Sequence, residues 1–137
     1  MKSAPLSPDE FDRLNALRKF NILDSDPEEN FDGIVKLASF ICQTPFAAIS
    51  LVDENRQWFK SIVGVDAKET PRDVAFCAHT ILQSEPLVVP NALDDERFFD
   101  NPLVQGGLDI RFYAGVALVT TSGYRIGTLC VIDQQPR

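Results

Sequence analysis

The chain has 137 residues, 45% hydrophobic and 24% charged, the profile of one soluble globular domain with a core of its own. Its formal charge of −7, from 20 acidic and 13 basic residues, argues against a nucleic-acid surface, which needs clustered Lys and Arg. No apolar run reaches the length of a membrane span, and the opening MKSAPLSPDEFDRL lacks the apolar core of an export signal.

Ser7-Pro8-Asp9-Glu10 predicts a helix start, with Ser7 as cap, Pro8 at the first helical position and Glu10 completing a capping box. Phe11, Leu14, Leu17 and Phe20 then form a narrow stripe that suits either the domain's own sheet or a partner helix in a dimer. Asp26 and Pro27 repeat the start signal. Phe31, Ile34, Val35, Ala38, Ile41 and Cys42 give the second helix a broad apolar face for packing on the sheet. Ala47–Asp53 and Gln57–Val63 read as two strands joined at Glu54-Asn55. Trp58, the sole tryptophan, reads as packing on the helix rather than lining a cavity.

Val65–Asp73 is polar and reads as a loop, and Val74–Gln83 returns to helical spacing through Val74, Cys77, Ala78 and Ile81. Leu87–Val89 is a short strand. Asn91–Gly107 is long for a connection and holds a short helical signal over Leu93–Phe99; such a segment often walls a binding site. Ile110–Asp133 alternates with the period of a strand, breaks at Thr121-Ser122-Gly123 and resumes, which predicts a long hairpin in the middle of a sheet. Gly115 and Gly127 stand near mid-strand, where glycine marks a bulge or the close approach of another group. Helices that precede an antiparallel sheet make an α+β layout.

Several blocks together carry a resemblance. Phe76-Cys77-Ala78-His79-Thr80-Ile81, Pro86–Ala92, Asp95–Phe98, Asn101–Val104, Ile110–Gly115 and Ile126–Asp133, in this order, resemble a GAF domain, the sensory module related to PAS domains. The similarity is to the group found in bacterial sensor histidine kinases and diguanylate cyclases. It implies an α+β GAF/PAS-like fold: an antiparallel sheet with long helices on one face and a ligand cavity on the other, walled by Val74–Gln83 and Asn91–Gly107. Residues 1–24 form an N-terminal helix and linker, and 25–137 the GAF domain. Such domains usually continue into a C-terminal helix beside the first helices, so the chain reads as an excised piece of a longer protein.

The resemblance sets the candidate chemistry. Cys77 and His79, two apart on a helix, point to different faces and do not form a nucleophile–base pair. Bilin-carrying relatives commonly anchor pigment through a cysteine followed directly by histidine, but here Ala78 intervenes. His79, the only histidine, is a candidate haem ligand in the manner of some relatives or a hydrogen-bonded structural residue; with scattered cysteines it makes a poor zinc set. Arg111 and Tyr113 share a strand face; the arginine could fork onto a carboxylate or phosphate, or pair at the rim with Asp94 or Asp95. Phe76, Phe98, Phe99, Phe112 and Tyr113 could give aromatic walls.

The candidate ligand-binding set is thus Phe76, Cys77, His79, Phe98, Arg111, Tyr113 and Thr128, with no catalytic and no metal-binding residue. Cys42, Cys77 and Cys130 are odd in number and widely spaced, which suits reduced thiols in the cytoplasm. The expectation is a cytoplasmic, non-enzymatic sensory domain. It would bind an unidentified small molecule or relay a signal to an output domain, as a homodimer through its terminal helices, without nucleic-acid or membrane contact. Two alternatives are a structural dimerisation module with a filled pocket and a free methionine-R-sulfoxide reductase-like enzyme, whose surrounding motifs are missing here. The cofactor is unknown.

Overall fold

In the computed structural model, which describes residues 1–137, the alternating stretch near the C-terminus forms strands β5 (Phe112–Val119) and β6 (Arg125–Asp133). Their turn at Thr120–Tyr124 places Gly123 at φ 92°, a region open to glycine at little steric cost. Before them come β1 (Phe46–Val52), β2 (Arg56–Val63), β3 (Glu69–Pro71) and β4 (Leu87–Val89). The six strands form one antiparallel sheet in the order β3-β2-β1-β6-β5-β4, so the hairpin does lie inside the sheet.

The period-2 alternation of these strands builds two cores. Ala47 and Ile49 of β1 with Leu129 and Val131 of β6 face helix α2 (Glu29–Cys42) and meet Val35, which is fully buried. Ala48, Cys130 and Tyr113 point the other way. There they are covered by the short helix α3 (Phe76–Thr80) and by the connection after β4, which contains α4 (Pro102–Gln105). Helix α1 (Glu10–Lys19) seats Leu17 against Leu51 and Trp58 beyond the edge of α2. Long helices on one face and a second, deeper core on the other are the expected α+β arrangement.

Several local expectations are corrected. Glu10 does not cap α1; its carboxylate lies between the buried guanidiniums of Arg13 and Arg72. No side chain caps α2, which starts at Glu29 rather than at Pro27. Its broad apolar face only partly reaches the sheet: Phe31, Val35 and Ala38 pack there, whereas Ile34, Leu37, Phe40, Ile41 and Cys42 are exposed. The helical stretch at 74–83 is shorter than its spacing suggests, being a 3-10 turn at Arg72–Val74 followed by α3. Instead of a helix over Leu93–Phe99 the chain forms a 3-10 turn at Ala92–Asp94 and later α4, each with an asparagine cap, Asn91 or Asn101.

Two ionic anchors were not foreseen. Lys60 of β2 is buried, and its ammonium donates to Ser25 Oγ (2.8 Å) and the Asp26 carbonyl (2.6 Å) while pairing with Glu28 (2.6 Å). It thereby ties the α1–α2 linker to the sheet. Arg137 donates to the carbonyls of Cys42 and Gln43, satisfying the C-terminus of α2 where acceptors are otherwise left over.

Candidate functional site

The face opposite α2 holds an apolar cavity of about 40 Å³. Its floor is strand side chains, among them Ala48, Phe59, Ile62, Cys130 and Ile132; its roof is Phe76 and Cys77 of α3 with Leu103, Leu108 and Ile110 of the long connection. Tyr113 closes one end. A space of that size admits a few waters or one very small molecule, since a single water needs about 10–15 Å³ by the same kind of measure. A tetrapyrrole does not fit it.

Beside this apolar space runs a chain of buried polar groups. Ser50 Oγ and Thr128 Oγ1 lie 2.9 Å apart across the β1–β6 pairing, and Thr128 Oγ1 donates to Cys77 Sγ at 2.9 Å. The Tyr113 hydroxyl sits 3.4 Å from Cys77 Sγ and 2.7 Å from Thr80 Oγ1, which in turn donates to the Phe76 carbonyl. Each hydroxyl therefore has a partner, as burial demands. Burial works to raise the Cys77 thiol, but its polar neighbours Cys130, Ser50, Thr128 and Tyr113 outweigh it and bring it down to about 7. Cys130 goes the opposite way, raised first by its hydrogen bond to Cys77 and then by burial. Burial, together with the charge that Cys77 can carry, pushes Tyr113 upward. The two cysteines are thus unequal.

The structure gathers only part of the sequence-derived set at the cavity. Phe76, Cys77 and Tyr113 line it, and Thr128 stands just behind Cys77. Phe98 is buried one layer further out, stacked on Phe76 with ring centroids 4.0 Å apart. His79 turns away: its Nε2 lies 3.0 Å from the Lys2 carbonyl and its ring meets Phe98 edge-on. Burial, only partly opposed by that carbonyl, holds it below the usual imidazole range. Arg111 precedes β5, and its Nη1 donates to the carbonyls of Val104 (2.8 Å) and Ile110 (2.9 Å). It pairs with neither Asp94 nor Asp95; Asp95 is held by Arg97 at 2.8 Å. As aromatic walls, Phe99 and Phe112 are corrections: Phe99 is exposed, and Phe112 packs on the α2 side.

Sequence reasoning missed most of the lining. Ala48, Ile62, Leu108 and Ile132 look like ordinary core residues, and only the parity of each strand, once β1 and β6 are paired, assigns them to the cavity face. Cys130 carried that signal, since Thr128, Cys130 and Ile132 alternate with Leu129 and Val131.

An antiparallel six-stranded sheet backed by α2, with a small helix and a long connection over an interior cavity, defines an α+β domain of the GAF architecture. The GAF domain pattern matches residues 26–137, and the chain belongs to the GAF domain family. It is 43% identical over all 137 residues to a cyclic di-GMP phosphodiesterase of Pseudomonas aeruginosa, of which it spans 23% of the length. Among solved structures it is similar to the GAF domain of an Acinetobacter phosphoenolpyruvate-protein phosphotransferase, with TM-score 0.62, 19% identity, and 96% of this chain and 81% of that one covered. It is equally similar in fold to a free methionine-R-sulfoxide reductase of Neisseria meningitidis, with TM-score 0.63, 14% identity, and 99% and 83% covered. At such identities these two structures speak for the fold alone. No helix is long and apolar enough to cross a membrane.

Proposed function

We propose that this GAF domain is a non-enzymatic regulatory module of bacterial cyclic di-GMP signalling. It takes a small apolar molecule into the cavity beneath α3 and relays occupancy to a phosphodiesterase output. The observation that carries this reading is the 43% identity, along the whole chain, with a protein named for cyclic di-GMP hydrolysis. The cavity supplies a place for a signal: its wall is almost wholly apolar, and its roof includes Leu103 of the short helix α4 and Leu108 just after it, both in the long connection between β4 and β5. Regulation requires that the ligand bind the two states of the domain with different affinity. Here the ordered state is nearly full, so a ligand larger than a few atoms selects a state in which Leu103 and Leu108 have moved outward.

The same small volume favours a second reading, a structural dimerisation module whose pocket stays closed. Thermal unfolding in the presence of a panel of small apolar metabolites, paired with native mass spectrometry, separates the two. A rise in melting temperature with a matching bound mass supports the sensor. A bare mass and unchanged melting across the panel supports the scaffold.

In either reading we propose a homodimer through the terminal helices. Ile34, Leu37, Phe40 and Ile41 make an exposed apolar stripe along α2, and Phe11 and Phe20 are exposed on α1, more apolar side chain than a monomer usually leaves in water.

A further inference from the structure

Of the three cysteines, Cys42 is exposed, whereas Cys77 and Cys130 are 2% and 3% exposed and both line the cavity. The two buried thiols come from different layers, one from α3 and one from β6, and both face the same cavity; Thr128, two residues before Cys130 on the same strand face, holds a hydrogen bond to the Cys77 sulfur. Nothing in the packing of an apolar core calls for two thiols on one cavity, or for a thiol sulfur that accepts from Thr128 Oγ1 at 2.9 Å with the Tyr113 hydroxyl 3.4 Å away. The Thr128 donor favours the anionic form of the Cys77 sulfur, and it is the thiolate that reacts. For Cys130 the neighbouring Cys77 and burial outweigh the support of Thr128 and the Ala48 backbone, and it stays a thiol.

We propose that Cys77 and Cys130 are an oxidant-sensitive dithiol, and that hydrogen peroxide admitted to the cavity converts them to a disulfide tying α3 to β6. Cavity size sets the class of oxidant. A space of about 40 Å³ takes a molecule of two heavy atoms but excludes a disulfide such as oxidised glutathione. In the first step Cys77 sulfur attacks one peroxide oxygen and the O–O bond breaks. Hydroxide leaves and combines with the proton given up by the Cys77 thiol, so that one water and a Cys77 sulfenic acid result. In the second step Cys130 sulfur attacks Cys77 Sγ and the S–O bond breaks. The departing oxygen takes the Cys130 proton, and a second water forms with the S–S bond. Two thiols lose two electrons, and one peroxide is reduced to two waters. Thr128 Oγ1 donates to the Cys77 sulfur at 2.9 Å beside the cavity.

The test starts from the Cys42→Ser chain, which removes the exposed thiol. The folded protein is treated with hydrogen peroxide, quenched, unfolded in an alkylating agent and mapped by mass spectrometry. The expected result is loss of both alkylatable thiols, a mass lower by two hydrogens, and one crosslinked peptide pair joining Cys77 and Cys130. Oxidised glutathione in place of peroxide leaves both thiols alkylatable. In the Cys42→Ser, Cys130→Ser chain, peroxide followed by unfolding in dimedone labels Cys77. Recovery of both residues as free thiols, under peroxide that fully oxidises a small-molecule thiol in the same tube, overturns the proposal. So does a sulfinic acid on either residue in place of the crosslink. The mapping of the Cys42→Ser chain needs no change in the core, so its outcome does not depend on how the second variant folds.

Discussion

Tyr113 and Gly115 share one face of β5, and the Tyr113 hydroxyl occupies the space that a Cβ at position 115 would need. The tyrosine Cζ lies only 2.7 Å from that ideal Cβ. The ring is wedged there by Phe76, 5.2 Å away, and by the hydrogen bond to Thr80. Gly115→Ala is therefore expected to destabilise the domain by about 1–3 kcal/mol, the usual cost of overpacking. Tyr113→Phe in the same chain should restore part of the loss, because it removes the closest atom and leaves the ring. Gly127 makes the contrasting case: a Cβ there meets the Ser50 carbonyl, which is backbone. Gly127→Ala should cost more and should gain nothing from any neighbouring side-chain truncation. Chemical denaturation of these variants checks both statements.

Glu10 sits between Arg13 and Arg72, two guanidiniums that are almost wholly buried. Burial alone would raise its carboxyl; hydrogen bonds and charge from Arg72 and Arg13 prevail and hold it at about 2, against 4.5 in the ordinary state. A depressed carboxyl contributes stability that is present in full above pH 4.5 and is lost as pH falls toward 2. The difference corresponds to about 3 kcal/mol. Glu10→Gln should cost about 3–5 kcal/mol at neutral pH, since it strands two buried cations, and should flatten the acid limb of a stability–pH curve. An acid limb that is identical in the two proteins would rule out this role for Glu10 in anchoring α1.

Lys60→Met should free the 24–28 linker rather than empty the core. The ammonium is the shared donor for Ser25, Asp26 and Glu28, so its loss should cost about 1–3 kcal/mol. Hydrogen exchange should quicken at residues 24–28 and leave β1 and β6 unchanged.

The α2 stripe predicts self-association. Light scattering should find a dimer of the chain at high concentration and a monomer of Phe40→Lys, whose new charge falls on the most exposed phenylalanine, 80% accessible. A wild-type chain that stays monomeric at every concentration would exclude the dimer.

Periodicity carried the fold further than the site. The β5–β6 hairpin, the mid-strand glycines and the packing of Trp58 follow from strand alternation and side-chain size, which are local properties. Glu10 was legible only as a capping residue, because Arg72, its strongest partner, lies 62 positions away and the intervening β1–β2 hairpin brings it there. The cavity lining was hidden for the same reason. Phe76, Cys77 and Tyr113 stand out as chemistry-bearing residues, but Ala48 and Leu108 acquire a role only when a sheet and a roof meet. Arg111 drew attention by its charge, and the structure commits that charge to two backbone carbonyls.

If the interior under α3 governs an output, filling it should change the output. The experiment is cyclic di-GMP hydrolysis by the Pseudomonas relative carrying this chain in place of its matching segment. The wild-type chain would be compared with Ala48→Val, which fills the cavity from the β1 side, once melting curves show both folded. A regulatory cavity gives rates that differ severalfold between the two, and that differ again from the relative without the segment. Equal rates in all three would mean that the cavity does not control the output.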